Sequence, residues 1–199
     1  EFVEVILNGT HVGNYYLCEQ IKVDENRVDI HEMEDTDTEG DAITGGYLME
    51  LDTYFDEVNK FKSSIKSLPY MFKEPDEDVL NEQQFAYMQN YVNRLEEVLY
   101  DDTYFAVREY AKYIDIDTYI DWWLVHELAF NGEPNHPKSS YMHKDKGGKL
   151  KAGPVWDFDW NTLPASTSYS EEGYSYTKSM LTKADADYLK DGYPSEPNN

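Results

Sequence analysis

Two aspartates lie one residue apart in an aromatic segment that runs from Gly153 to Trp160. If this segment is a β-strand, Asp157 and Asp159 share one face, and the aromatic residues on either side of them pack on the other. Two neighbouring carboxylates repel each other, and a divalent cation relieves that repulsion. The pattern therefore predicts a Mg²⁺ or Mn²⁺ site at these aspartates. A solvated, acidic strand edge is the alternative, since acidic pairs are common in acidic proteins.

A second group of polar residues precedes this segment, in residues 131–138, where Pro, Gly and Asn disfavour regular structure. Glu133 could accept a proton, and the amide oxygen of Asn135 is a ligand that Mg²⁺ accepts. Lys138 could hold a phosphate as it leaves, because a lysine carries a flexible point charge. A solvated loop lysine is the simpler interpretation of Lys138.

The N-terminal part of the chain offers two lysines that could contact phosphate, Lys22 and Lys73. Glu19 alternates with apolar residues of a predicted strand, so it is expected to face inward and to need a cation. Lys73 is the preferred partner, and Glu50 competes for the same lysine. A Lys–Glu pair that reaches phosphate is typical of kinase-like sites, although most such pairs are structural. We favour Lys73 over Lys22.

The elements that must position these residues can be predicted from hydrophobic periodicity. Apolar alternation between turn signals indicates an antiparallel meander with an acidic, mobile loop at 32–41. Its predicted strands are 2–7, 15–23, 27–31, 46–52 and 69–73. After Pro75, apolar residues recur at steps of three and four residues, which predicts an amphipathic helix that includes Phe85 and Leu99. Asp76 or Asp78 is predicted to cap this helix. Two further helices are predicted, one at 103–113 and one that begins at about 117 and is capped by Asp115 or Asp117. A hairpin of 139–143 with 149–152 follows them.

This order of elements predicts an α+β protein with two lobes. Residues 1–75 would form an N-terminal antiparallel β lobe, and 76–164 a C-terminal helical lobe with the catalytic loop and the metal-binding strand. Residues 165–199 would form a lid, a loop or a tail of the same domain. The loop after the third helix would then lie beside Asp157 in a cleft, as phosphoryl transfer requires.

Composition narrows the classes of partner. The chain has 199 residues, of which 40% are hydrophobic, so it can bury a core. Lys and Arg number 17 against 40 acids, and the net charge of −23 argues against nucleic acid or an anionic membrane and favours a basic partner. The chain opens with residues typical of a strand and has no long apolar stretch, so we expect neither a signal peptide nor a membrane span.

Three separated motifs together resemble the CotH kinase family, which is named for a spore-coat protein. The first comprises Asn8-Gly9, the segment from Gly13 to Leu17 and Glu19-Gln20-Ile21-Lys22; the second runs from Gly45 to Asp52; the third runs from Gly153 to Trp160. The resemblance extends from Val3 to about Thr162.

The resemblance implies an atypical protein-kinase-like fold that binds ATP with Mg²⁺ or Mn²⁺ and phosphorylates protein serines. Asp157 matches the metal-binding aspartate of the family. Glu133 and Asn135 lie where the family carries its catalytic acid and a metal-binding amide, but a glutamate stands here in place of the expected aspartate. The implied acceptor is a basic or Ser-rich protein, and the expected location is outside the cytoplasm or at the cell surface of a bacterium. We expect a monomer.

Two other classes of function fit the same residues. A kinase-like module without turnover could bind a protein or polysaccharide through its aromatic residues, among them 18 tyrosines. A glycoside hydrolase could use Asp157 or Asp159 together with Glu133, but that reaction leaves the lysines without a role.

Overall fold

The computed structural model describes residues 1–129, 131, 134 and 138–158. The strands in this part of the chain are β1 Phe2–Leu7, β2 Thr10–Tyr16, β3 Tyr47–Leu51, β4 Lys60–Lys62, β5 Pro69–Glu74, β6 Ser140–Lys144 and β7 Leu150–Ala152. The helices are α1 Glu82–Tyr100, α2 Asp102–Ala106 and α3 Ile116–Leu128, with 3-10 turns at Ala42–Thr44 and Glu109–Lys112. The predicted α+β class is confirmed.

The central feature is a five-stranded antiparallel sheet with the order β4-β5-β3-β6-β7. Strand β3 pairs with β5 on one side and with β6 on the other, and β6 comes from the later part of the chain. One sheet therefore combines strands from the predicted β lobe and from the predicted helical lobe. The two-lobed arrangement is not confirmed, and the division between residues 75 and 76 stays a prediction.

Helix α1 covers one face of this sheet and forms the main core. Alternate residues of β3 point toward the helix, and the helix presents residues three or four apart, so the two periodicities meet in one apolar layer. Its buried members include Tyr47, Met49, Leu51, Phe61, Tyr70, Phe72, Met88, Val92, Leu95, Val98 and Met142. The predicted amphipathic helix is confirmed.

The start of α1 differs from the prediction. Asn81, rather than Asp76 or Asp78, caps the helix: its side chain accepts from the backbone N–H groups of Gln83 and Gln84, and the Gln84 side chain accepts from the Asn81 N–H. Gln84 is fully buried and also donates to the carbonyl of Glu34 at 2.7 Å. The acidic loop predicted to be mobile is thus hydrogen-bonded to the helix.

The second strand was predicted in the wrong place. Asn8 and Gly9 have φ of 51° and 80°, as a two-residue hairpin turn requires, so pairing resumes at Thr10 and ends at Tyr16. The predicted strand at 27–31 contributes only an isolated bridge between Val23 and Val28. Strand β4 was not predicted because three residues are too few to show a period.

The helices after α1 follow the prediction in part. Arg108 has a left-handed backbone with φ of 57°, so the predicted helix at 103–113 is divided into α2 and a 3-10 turn. Helix α3 is capped by Asp115, whose side chain accepts from the Thr118 N–H at 3.4 Å. No helix among the described residues is long and apolar enough to cross a membrane.

Candidate functional site

The face of the sheet opposite α1 is polar near its centre. Glu50 points to this face from β3, and its partners across the two neighbouring strands are Met71 and Tyr141. Lys73 lies two residues beyond Met71 on β5. Pairing shifts here from Met49 with Phe72 to Leu48 with Glu74, so Lys73 is the extra residue of a β-bulge. A bulge redirects a side chain, and this one brings the lysine to Glu50.

Lys73 is held by two carboxylates. Its Nζ lies 3.6 Å from Glu50 Oε2, and it also donates to Glu57 Oε1 in the loop after β3. Partial burial of Lys73 disfavours its charged form and lowers its pKa. The hydrogen bond to Glu57 and the negative charges of Glu57 and Glu50 have the opposite effect and are larger in sum, so the pKa of Lys73 is raised. The lysine therefore stays protonated at neutral pH.

Glu50 is the buried member of this group. Burial raises the pKa of Glu50, and the charge of Lys73 and the hydroxyl of Tyr141 offset only part of that effect. A buried carboxylate needs a cation nearby, and the structure supplies one. Of the two predicted partners for Lys73, Glu50 is the one in contact.

The predicted pair of Glu19 with Lys73 is wrong. Residues 17–22 form no strand, so the alternation that placed Glu19 inside does not apply. Glu19 is exposed and lies 3.5 Å from Arg27, and Lys22 lies 3.1 Å from Asp24 at the surface. Neither residue contacts the Lys73 group in the described part of the chain.

Asp157 does not lie on a strand, contrary to the prediction for residues 153–160. Its backbone is left-handed with φ of 60°, which interrupts any alternation of faces. Asp157 Oδ2 accepts a hydrogen bond from the Ser139 hydroxyl at 3.3 Å, and its carbonyl oxygen accepts from the buried Asn131 side chain at 3.5 Å. The aspartate is therefore held through both its side chain and its backbone.

The aromatic neighbours of Asp157 anchor it from two different directions. Trp156 packs beside a small core cluster of Val28, Leu48 and Tyr141 on the polar side of the sheet. Phe158 stacks on His126 of α3 at 5.0 Å between ring centroids. The predicted anchoring by aromatic residues is present, but Trp156 and Phe158 do not share one packing surface.

Asp52 also belongs to this region, although it was not among the predicted site residues. It is buried at the end of β3, and its two oxygens accept from the backbone N–H groups of Tyr54 at 2.7 Å and of Ser139 at 3.0 Å. Its position as the last residue of the Gly45-to-Asp52 motif was the one available signal. Ser139 thus contacts two aspartates, Asp52 and Asp157.

Lys138 lies beside this cluster. Its Nζ is 4.1 Å from the centre of the Tyr54 ring, a cation–π contact. Glu133, Asn135 and Asp159, which were also predicted as site residues, lie outside the described residues. In the part of the chain that the structure describes, no three His, Cys, Asp or Glu side chains form a group that could hold a metal ion.

The donor types that are present fit a hard divalent cation and a phosphate. Asp157 offers a carboxylate beside the Ser139 hydroxyl, and oxygen donors of this kind suit Mg²⁺ or Mn²⁺. Lys73 offers a protonated amine beside a cleft of about 430 Å³, which is within the size range of small-molecule sites. Its lining is acidic, with Glu57, Asp76 and Glu77 among its residues.

An ion-paired lysine on a sheet face and an anchored aspartate are residue types that kinase-like proteins use for phosphate and metal. A family model described as CotH kinase protein matches residues 1–188. The chain therefore belongs to the CotH kinase family, and the resemblance predicted from its motifs is confirmed. Searches of curated proteins and of solved structures found no match.

Proposed function

We propose that this protein transfers the γ-phosphoryl group of ATP to a serine or another hydroxyl of an acceptor protein, with Mg²⁺ or Mn²⁺. The observation that carries the proposal is the 3.6 Å pair between Lys73 and the buried Glu50 on the polar sheet face. A lysine held by a buried glutamate is preorganised to contact phosphate oxygens, and kinase-like sites use such a pair. Membership of the CotH kinase family supports the same class of reaction.

The other roles follow from residue chemistry. Asp157 would hold the divalent ion, with Asn135 and Asp159 as further ligands. The ion would neutralise charge on the phosphates. Glu133 would accept the proton of the acceptor hydroxyl, and Lys138 would contact the transferred group.

Charge determines two properties of the proposed reaction. ATP is an anion and the chain carries a net charge of −23, so its binding should depend strongly on the metal ion. The same acidic surface would attract a basic acceptor segment. We further propose, from the family alone, that the protein acts outside the cytoplasm or at the cell surface.

Calorimetric titration tests the proposal. ATP is titrated with and without Mg²⁺ into the wild-type protein, Asp157→Asn and the control Asp102→Asn, which neutralises an exposed carboxylate on α2. Asparagine tolerates a left-handed backbone, so the first variant removes charge at position 157 with little change in conformation. We expect metal-dependent binding in the wild type and the control, and a loss of at least tenfold in Asp157→Asn. If folded wild-type protein binds no nucleotide, the proposal is wrong.

A second candidate function is a binding or assembly module without phosphoryl transfer. The β1–β2 hairpin favours it, because it forms a sheet of its own and exposes Phe2, Tyr15 and Tyr16. This function predicts that ATP, if bound, is not consumed in the presence of basic Ser-rich peptides. A transfer assay with labelled ATP and such peptides distinguishes the two functions.

A further inference from the structure

One loop contacts both lysines that the proposed function assigns to phosphate. This loop, residues 52–59, joins β3 to β4 and is called the β3–β4 loop below. The Tyr54 ring lies 4.1 Å from Lys138 Nζ, and the Glu57 carboxylate accepts a hydrogen bond from Lys73 Nζ. The two lysines lie far apart in the sequence, so only the fold brings one loop to both.

The conformation of the β3–β4 loop is fixed at both ends. At its start, Asp52 accepts from the Tyr54 N–H at 2.7 Å and from the Ser139 N–H at 3.0 Å. Near its end, Lys60 donates to the Phe55 carbonyl at 2.8 Å and lies 4.9 Å from the centre of the Phe55 ring. These contacts hold the loop where Tyr54 and Glu57 reach the lysines.

The two carboxylates on Lys73 differ in how accessible they are. The Glu50 side chain is 11% exposed and approaches from the sheet, whereas the Glu57 side chain is 37% exposed. Glu57 also lines the acidic cleft beside Lys73. Glu50 is therefore the fixed partner of the lysine, and Glu57 is the partner that a ligand arriving through the cleft would meet and could replace.

We propose that the β3–β4 loop is an internal competitor of the phosphate ligand. Glu57 occupies Lys73, and Tyr54 covers Lys138, until the phosphates of metal-bound ATP replace both contacts. Lys73 keeps an anionic partner throughout, and the displaced Glu57 carboxylate becomes solvated. This proposal rests on the proposed function, because it assigns a regulatory element to the same site.

Neutralising Glu57 gives the sharpest test. Mg²⁺-ATP is titrated calorimetrically into wild type, Glu57→Gln and Glu77→Gln after circular dichroism shows that all three are folded. Glu77 lines the same cleft and carries the same charge, but it makes no ion pair with Lys73 in the described structure. We expect binding about fivefold tighter in Glu57→Gln, the upper range for a partly exposed ion pair, and a change below twofold in Glu77→Gln.

The possible results separate this proposal from the proposed function. Equal tightening in both variants would indicate a general charge effect and would overturn competition by Glu57. Weaker binding in Glu57→Gln would overturn it as well, because Glu57 would then position Lys73 for the ligand. No binding in any of the three proteins would overturn the proposed function itself.

Hydrogen exchange supplies an independent readout. Release of the Tyr54 and Glu57 side chains removes two contacts that hold the β3–β4 loop, so the Tyr54 amide, which donates to Asp52, should open more often and exchange faster when Mg²⁺-ATP is present. The Glu96 amide, inside helix α1, is the internal reference and should not change. Unchanged or slower exchange at Tyr54 in a protein that binds ATP would contradict displacement of the loop.

Discussion

The Ser139 hydroxyl donates a hydrogen bond to Asp157 at 3.3 Å, and both residues have a left-handed backbone, with φ of 48° and 60°. This conformation costs most residues other than glycine, serine among them, about 1–2 kcal/mol, and it costs aspartate less. Asp52 lies beside this pair and accepts a hydrogen bond from the Ser139 N–H. The fold therefore accepts local strain at this place. Strain of this kind concentrates at functional sites.

Substituting Ser139 separates this strain from the hydrogen bond. Ser139→Ala loses the hydroxyl and keeps the strained backbone, whereas Ser139→Gly loses the hydroxyl and relieves the strain. We expect the glycine variant to be about 1 kcal/mol more stable than the alanine variant in urea denaturation. Both should weaken metal-dependent ATP binding by a similar factor. Equal stability of the two variants would show that Ser139 is not strained.

Substituting each candidate lysine with methionine tests which of the two contacts phosphate. Lys73→Met removes the cation beside the buried Glu50, so we expect at least a tenfold loss of Mg²⁺-ATP affinity and a destabilisation of about 3 kcal/mol. Lys22→Met removes only a surface pair with Asp24 and should change stability by less than about 0.5 kcal/mol. Calorimetry and urea denaturation measure both effects. Similar affinity losses in the two variants would contradict the assignment.

The double variant Lys73→Met with Glu50→Gln is the control for folding. It removes the unpaired buried charge, so stability should return in part while nucleotide affinity stays low. Recovery of nucleotide affinity together with stability would show that Lys73 acts only through folding.

Adding one methyl group at Gly45 should destabilise the fold. A Cβ at this position would lie 2.0 Å from the Asp145 carbonyl carbon, and backbone atoms cannot yield as a side chain can. We expect Gly45→Ala to lower the free energy of unfolding by about 3 kcal/mol. Gly9→Ala is the comparison: Gly9 has φ of 80° and no atom near its Cβ position, so only the backbone penalty of about 1 kcal/mol applies. The reverse order of the two effects would contradict this close approach.

The buried Glu96 should stabilise the loop that follows β4. Its carboxylate accepts hydrogen bonds from the Ser63 hydroxyl and from the backbone N–H groups of Ile65 at 2.8 Å and Lys66 at 3.2 Å. Glutamine keeps one acceptor oxygen but turns an amide donor toward the loop, so we expect a loss of about 2 kcal/mol. Glu97→Gln, at an exposed neighbour, should cost less than about 0.5 kcal/mol in the same urea titration. Comparable losses would show that the buried carboxylate is not needed.

His126 should make stability depend on pH. It is buried between Trp122 and Phe158, and neither ring nitrogen has a hydrogen-bond partner among the described residues. Burial lowers the pKa of His126 to about 4 from its ordinary value of 6.5. The folded state therefore resists protonation of His126, whereas the unfolded state does not. The contribution of His126 to the free energy of unfolding is complete above pH 6.5 and is lost as the pH falls from 6.5 to 4.

The variant His126→Phe isolates this effect, because phenylalanine keeps the ring contacts and does not titrate. The stability of the wild type relative to this variant should fall by about 2 kcal/mol between pH 7 and pH 5. Thermal or urea unfolding of both proteins at the two pH values measures the difference. A difference in stability that does not change with pH would show that His126 has the same pKa in the folded and unfolded states.

The elements predicted correctly are those with a strong local signal. Helix α1 shows its period over five turns, β3 and β5 are apolar runs between turn residues, and Asn8-Gly9 determines a hairpin turn by its backbone preference alone. The predicted strands at 15–23 and 27–31 were wrong for most of their length: Tyr15 and Tyr16 pair with β1, but the rest of the two segments forms only an isolated bridge between Val23 and Val28. Strand pairing is a tertiary property, and propensity does not specify it.

The sequence by itself determined the family, the acidic character and the amphipathic helix α1, and it predicted the two residues on which the proposed function depends, Lys73 and Asp157. Only the tertiary structure decided that Glu50 rather than Glu19 holds Lys73, that Ser139 binds both Asp52 and Asp157, and that one loop reaches Lys73 and Lys138. The reason is physical. Motifs and periodicity report how a residue relates to its near neighbours in the chain, whereas the partner of a charged side chain depends on strand register, a β-bulge and left-handed backbone positions that arise only when distant segments pack.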